Sequence, residues 1–268
     1  MNEGIQISNT GGVDVMQLVD LPLKSGGPGT NEVRIKHTII GVNYIDTYHR
    51  SGLYPVPLPA TLGLEAVGVV SAVGLGVNNF KVGDRVGYVS GPTGAYVQER
   101  DYSSKMLIKI PDYIEDESAA AILLKGMTVE YLFNRTYKIN NNMFFLFHAA
   151  AGGVGLVACQ WARAIGAKMI GTVSTEKKAR LAKDLGCEYV INYKSQDVAD
   201  EVMKITNGRG VDVVYDGVGK DTFQTTIDCL ADRGLFVSFG QSSGMVGLVG
   251  LHETFAPKNL FVSVKLIL

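Results

Sequence analysis

Cysteine is scarce in this chain: three in 268 residues, Cys159, Cys187 and Cys229, with no CxxC among them. An odd, widely spaced set excludes a disulfide framework and a zinc knuckle, and we read all three as reduced, buried, small apolar side chains in a cytoplasmic protein. Histidine is equally thin, at positions 37, 49, 148 and 252, none at metal-ligand spacing to a cysteine, so no metal site is expected. Charge of one sign is missing too. Lys plus Arg number 25 against 26 for Asp plus Glu, with no basic block, which argues against a nucleic-acid partner. There is no uncharged apolar run of about 18 residues, so no membrane span is expected. The first residues, MNEGIQISNTGGVDV, lack the basic, apolar and small-residue sections of a signal peptide.

Glycine is what the chain has in excess, 32 of 268 residues or about 12%, against an ordinary share of roughly 7%. It carries no collagen period, and the 46% hydrophobic content excludes intrinsic disorder. Tight turns and close backbone approaches are what remain.

The two halves of the chain differ in pattern. Up to about residue 110, short apolar stretches at 32–40, 64–74, 84–89 and 94–99 read as strands, and prolines at 55, 57, 59, 92 and 111 break long helices. Only 43–50 reads as a helical turn. From about 115 onward a helical run at 117–136 leads into alternating units: strands at 144–149, 168–173, 189–192, 211–216 and 235–240, with helices at 153–166, 175–185, 197–205 and 220–230. Short apolar strands joined by helical crossovers predict a parallel sheet covered on both faces. The fold class is therefore α/β: an N-terminal barrel-like β domain followed by a doubly wound domain.

Between the first such strand and its helix stands AAGGVG, 150–155, which fits G/A-x-G-x-x-G with alanine first. In this setting Gly152 admits a pyrophosphate to the backbone, Gly155 lets helix and strand pack closely, and the helix N-terminus faces the phosphates. A merely tight structural turn is the competing reading. Twenty-two residues past Gly152, where an acid would hold the ribose of NAD, the chain has Ser174, followed by Lys177, Lys178 and Arg180. A hydroxyl with neighbouring cations suits a 2′-phosphate, so NADP is favoured over NAD, the alternative for the cations being a solvated helix face. His148, beside this turn, reads as a hydrogen-bonded core histidine rather than a ligand or acid.

With these residues in view, the sequence resembles the zinc-independent quinone oxidoreductases of the medium-chain dehydrogenase/reductase superfamily, the zeta-crystallin type. The likeness rests on GVNYIDTYHRSGLYP (41–55), HAAAGGVG (148–155) with CQWA (159–162), GTVST (171–175), VINY (190–193), VVYDGVGKD (213–221) and VSFGQSSG (237–244). In GLEAVG (63–68), Leu64 stands where zinc-containing relatives carry histidine. The resemblance implies a GroES-like substrate domain over 1–122, a Rossmann domain over 123–268, and NADPH as cofactor. It implies Gly152, Gly153 and Val154 at the pyrophosphate, and Ser174, Lys178 and Tyr193 at the 2′-phosphate. Thr128, Phe239, Gly240 and Ser242 would lie toward the ribose and nicotinamide. Asn43, Tyr48 and Tyr54 would line the quinone pocket, where phenols and an amide can donate to an oxygen gaining charge; aromatic packing is the other reading of the two tyrosines.

The implied activity is hydride transfer from NADPH to a quinone. Reduction of an enal or enone double bond is the alternative, and a cofactor-binding protein with little catalysis is a third reading. A homodimer through edge strands of the Rossmann domain is implied, with LFVSVKLIL (260–268) filling that role. The family runs some tens of residues further and reads Thr-Arg-Pro where this chain has Ser263-Val264-Lys265. We therefore expect the barrel domain to lack its usual closing segment.

Overall fold

Glycine and proline punctuate the first 110 residues into short strands, and in the computed structural model, which describes residues 1–264, those strands form two antiparallel sheets. The chain divides into two units, the first holding Met1–Leu124 and the second beginning at Lys125. In the first unit, β1 (Glu3–Ile7), β2 (Gln17–Asp20) and β4 (Ala60–Thr61) form a three-stranded sheet ordered β2-β1-β4. A five-stranded sheet, ordered β7-β3-β5-β6-β8, contains β3 (Glu32–Gly41), β5 (Glu65–Val73), β6 (Arg85–Tyr88), β7 (Glu99–Ser103) and β8 (Ile108–Lys109). Helix α1 (Tyr44–Ser51) follows β3 directly. Alternation along β3 and β5 turns Val33, Ile35, Ala66 and Val70 into a common core with Val86, Tyr88 and Tyr102.

One strand differs from the sequence reading. The stretch 94–99 holds the apolar residues that suggested a strand, yet the ladder with β3 is made by Glu99–Ser103. The preceding residues follow an irregular path, with Tyr96 N donating to Leu62 O and Tyr96 O accepting from Ile5 N, so their backbone is satisfied outside a regular ladder.

Helix α2 (Asp116–Glu130) begins with two acids and is continued by a wider π turn, Tyr131–Thr136, over the rest of the expected helical run. The second unit then alternates β9 (Phe144–Phe147), α3 (Gly153–Ala164), β10 (Lys168–Val173), α4 (Glu176–Asp184), β11 (Tyr189–Asn192), α5 (Val198–Ile205), β12 (Val211–Asp216), α6 (Phe223–Cys229) and β13 (Leu230–Ser238), with α7 (Leu251–Phe255) and β14 (Phe261–Val264) at the end. All six strands are parallel, in the order β11-β10-β9-β12-β13-β14. The chain reverses its winding between β9 and β12, and a crevice for ligand opens at the carboxyl ends of such strands.

Burial on both faces explains the apolar strands. Phe145 and Phe147 of β9 pack with Ala158, Ala162 and Tyr215, while Leu146 between them packs with Ile170, Val202 and Val214. Each such side chain contributes about 2–3 kcal/mol by leaving water. Helix α3 lays Val154, Val157, Ala158, Trp161, Ala162 and Ile165 against this core, together with Cys159. The three cysteines are free and buried. At the sheet edge β14 leaves Phe261 and Val264 exposed; of the stretch 260–268 singled out for dimer contacts, 265–268 lie outside the described residues.

Candidate functional site

The glycine turn sits at the carboxyl end of β9, the middle of the parallel sheet. Ala149 is left-handed (φ 55), and Gly152 returns to extended backbone as the N-cap of α3. Gly152 N donates to Ala149 O at 2.8 Å, closing the turn. A Cβ on Gly155 would stand 2.5 Å from the carbonyl oxygens of both Ala149 and Ala150. Only glycine allows α3 to start this close to the strand. The first-turn N–H groups of α3, which no preceding helical turn can satisfy, therefore open onto the turn.

A cavity of about 480 Å³ extends from this turn, walled by His148, Gly152, Thr172, Ser174, Lys178 and Tyr193, with Lys194, Asp197 and Thr222 further round. Ser174 directly follows β10, and Lys178 Nζ donates to its Oγ at 3.4 Å. Thr175 caps α4 by accepting from Lys178 N at 3.2 Å, which fixes that lysine on the first turn. Tyr193 is half exposed beneath the ammonium of Lys194, 5.5 Å from the ring centre. Asp197 on this wall is engaged in capping α5, accepting from Asp200 N at 2.9 Å. Two cations and two hydroxyls gather past the end of β10, where the Glu176 carboxylate on the first turn of α4 is taken up by Asn192 Nδ2 at 3.2 Å, and they form a donor set for a phosphate dianion. Gly152, Ser174, Lys178 and Tyr193 are thus brought together, with Gly153 and Val154 beside them at the start of α3.

Phe239, Gly240 and Ser242 lie on the loop after β13, which is fastened to the loop after β12. Ser242 N donates to Gly217 O at 3.2 Å and Ser243 N to Val218 O at 2.8 Å. The Phe239 ring packs 5.5 Å from that of Phe147, and a Cβ on Gly217 would meet it at 3.0 Å. Thr128 is buried in α2, away from the cavity wall.

Of the residues that shape these loops, His148 was singled out in the sequence and Asp216 was not. Asp216, fully buried at the end of β12, accepts from Val218 N (2.7 Å), Gly219 N (3.0 Å), Thr222 Oγ1 (2.7 Å) and Thr226 Oγ1 (3.1 Å). His148 bridges the hydroxyls of Thr172 (3.1 Å) and Thr226 (3.0 Å), and burial holds its pKa below the ordinary value although Asp216 works in the other direction. It is a hydrogen-bonded core histidine. The available signal was positional, polar residues at the carboxyl ends of parallel strands.

In the first unit Asn43 caps α1 and is buried; its backbone N donates to Asp46 Oδ2 at 2.9 Å. Gly52 ends the helix in left-handed backbone, and Tyr54 N then donates to Tyr48 O at 3.2 Å. That turn sets the Tyr48 and Tyr54 rings edge to face, 5.0 Å apart. Asn43, Tyr48 and Tyr54 therefore belong to one short segment. Asp46 accepts from Tyr96 Oη at 2.7 Å, and burial pushes its carboxyl above the usual range. Among the described residues, no three His, Cys, Asp or Glu side chains gather in a way that could hold a metal ion, and no helix is long and apolar enough to cross a membrane.

Known proteins of the same build exist. Residues 29–136 match the alcohol dehydrogenase GroES-like domain family and residues 153–263 the zinc-binding dehydrogenase family. A quinone oxidoreductase of Pseudomonas aeruginosa is 49% identical over 98% of this chain and 81% of its own length. The crystal structure of Escherichia coli quinone oxidoreductase complexed with NADPH superposes with a TM-score of 0.95 at 48% identity, covering 98% of this chain and 80% of that one. A 2-haloacrylate reductase of a Burkholderia species is 47% identical over 90% of this chain and 74% of its own. With half its residues shared over nearly its whole described length, and with the glycine turn and the Ser174–Lys178 pair in the geometry set out above, the chain belongs to the quinone oxidoreductase family of the medium-chain dehydrogenase/reductase superfamily.

Proposed function

We propose that this chain is an NADPH-dependent quinone oxidoreductase, transferring hydride to a quinone without zinc. The observation that carries the reading is the single cavity joining the glycine turn to Ser174 and Lys178, with its excess of donors at the end of β10. These residues fit NADPH. The space at Gly155 excludes a side chain, and the Ser174 position lacks the acid that would repel a 2′-phosphate.

In this reading residues 123–268 hold the cofactor and residues 1–122 carry the groups that meet the substrate. Gly152, Gly153 and Val154 bind the pyrophosphate through backbone N–H groups. Ser174, Lys178 and Tyr193 hold the 2′-phosphate, and Thr128, Phe239, Gly240 and Ser242 orient the ribose and nicotinamide end. When bound, NADPH supplies the hydride. Asn43, Tyr48 and Tyr54 donate hydrogen bonds to the quinone oxygen as it gains negative charge, and solvent supplies the proton that completes the reduction. The protein works in the cytoplasm as a homodimer paired through the β14 edge, with no nucleic-acid partner.

The 47% identical 2-haloacrylate reductase favours a second reading, reduction of an activated carbon–carbon double bond with the same cofactor. NADPH oxidation measured across 9,10-phenanthrenequinone, benzoquinones, 2-haloacrylates and simple enones separates the two. Turnover on the quinones is expected. Turnover confined to the alkenes overturns the quinone reading, and NADPH binding without turnover on any of them overturns both.

A further inference from the structure

Glu65 opens β5 opposite Gly41, the last residue of β3. It is fully buried, an unusual place for a carboxylate unless hydrogen bonds compensate its lost hydration. A Cβ on Gly41 would overlap the Glu65 carboxylate, so the glycine is what lets the side chain fold over β3 toward the residues that follow it. There Oε2 accepts from Asn43 Nδ2 at 2.7 Å, and Oε1 accepts from Leu124 N in α2, also at 2.7 Å.

This geometry acts together with the capping box of α1, in which the Asn43 side chain accepts from Asp46 N, to decide which way the Asn43 amide faces. A carboxylate accepts and never donates, so Nδ2 must point at Glu65; the flipped amide would set its own oxygen against the carboxylate. Nδ2 carries two hydrogens, and committing one to Glu65 fixes the direction of the other. We propose that Glu65 is a positioning residue: it locks the Asn43 amide so that an N–H, not the carbonyl, meets the quinone oxygen as charge develops there. The inference rests on the assignment of Asn43 to the substrate proposed above, and adds a group that does not itself touch substrate. In Glu65→Gln one acceptor oxygen and one NH₂ group would replace the two oxygens that now accept from Asn43 Nδ2 and Leu124 N, so the bond to one of these donors is lost.

A double-mutant cycle on the full chain tests the proposal, comparing Glu65→Gln, Asn43→Ala and the pair with 1,4-benzoquinone and NADPH. Each single change is expected to lower kcat/KM by about 10- to 100-fold, the scale of losing one donor to a developing oxyanion. The pair should do no worse than Asn43→Ala alone, and the Kd for NADPH should stay within about twofold throughout. Glu65→Asp, which keeps the charge on a shorter stem, should recover part of the loss. If Glu65→Gln does not fold, Glu65→Asp replaces it in the cycle. The side-chain amide protons of Asn43, identified in ¹⁵N spectra by their loss in Asn43→Ala, should also move upfield when Glu65 is changed. Losses that multiply in the pair, or an unchanged amide signal, overturn the positioning role while leaving the quinone reading intact. Full quinone turnover in Asn43→Ala, or no quinone turnover in the unaltered chain, overturns the proposal together with the assignment on which it rests.

Discussion

His148 Nε2 and Thr226 Oγ1 lie 3.0 Å apart, and the direction of the proton between them is set by a third residue. Thr226 donates its hydroxyl hydrogen to Asp216, which can only accept, so Thr226 must accept from Nε2–H. Nδ1 is then the acceptor of the Thr172 hydroxyl at 3.1 Å. The imidazole is neutral with one defined tautomer, and the chain of bonds Thr172–His148–Thr226–Asp216 ties the ends of β10, β9 and β12 to α6. A buried network of this kind is stable only when every member is satisfied.

Asp216→Asn places an NH₂ group among four donors that now point at a carboxylate. A loss of about 2–4 kcal/mol is expected, seen as a fall in Tm of roughly 5–12 °C, together with weaker NADPH binding as the 217–219 loop loosens. An unchanged Tm would show that the carboxylate does not hold this loop.

Gly155→Ala puts a methyl group 2.5 Å from two backbone carbonyl oxygens. Backbone cannot rotate aside as a side chain can, so α3 must shift from the strand at a cost of about 1–3 kcal/mol. NADPH affinity measured by fluorescence titration should fall at least tenfold, and retention of full affinity would refute the close-approach account.

Ser174→Asp brings a carboxylate to the position where Lys178 Nζ now donates to a hydroxyl. The KM for NADPH should rise by about tenfold or more, while the KM for NADH falls or stays level, with the difference shrinking at high salt. Lys178→Ala should weaken NADPH and leave NADH nearly unaffected. Equal preference in the unaltered and changed chains would remove Ser174 from cofactor selection.

Acid should destabilise the protein through its buried histidines. Burial lowers His37 to about 4; its Nδ1–H donates to Val97 O at 2.7 Å, so Nε2 accepts from Tyr88 Oη at 3.0 Å. Below about pH 6.5 the unfolded chain takes up a proton that the folded chain refuses. Stability from His37 is thus full above that pH and declines by about 1.4 kcal/mol per pH unit down to about 4. His148, lowered by burial, acts in the same direction, whereas the raised carboxyl of Asp46 opposes them near the acid end. Urea midpoints should therefore fall between pH 7 and 5, less steeply in His37→Gln. A midpoint constant over that range would contradict the assignment.

Much of the second unit was legible because its physics is local. Strands buried on both faces must be largely apolar, as FFLF is and as KMIGTV is apart from its opening lysine and its hydrogen-bonded threonine, and the helices between them must carry an apolar stripe. The glycine turn was readable for the same reason, since close approach demands glycine at Gly155 whatever lies elsewhere. In the first unit the pattern was weaker. The ERDYS strand is polar and pairs with β3 from sixty-odd residues away, while the apolar residues just before it pack irregularly.

Sequence alone therefore determined the two kinds of architecture, the glycine turn that opens α3, and the presence of a serine and a lysine, with no acid at the serine position, beyond it. Tertiary structure decided what the buried polar groups do. Glu65 and Asp216 look like ordinary carboxylates in the chain, and nothing in their neighbours in sequence says that each loses its water. Glu65 meets a Leu124 N–H 59 residues on, and although Asp216 takes Val218 N from the adjoining turn, the network it anchors through Thr226 reaches His148, 78 residues before that threonine, so only folding assembles these groups. A hydrogen bond that fixes an amide or a histidine tautomer depends on distance and direction between residues remote in the chain, a relation that composition and spacing do not contain.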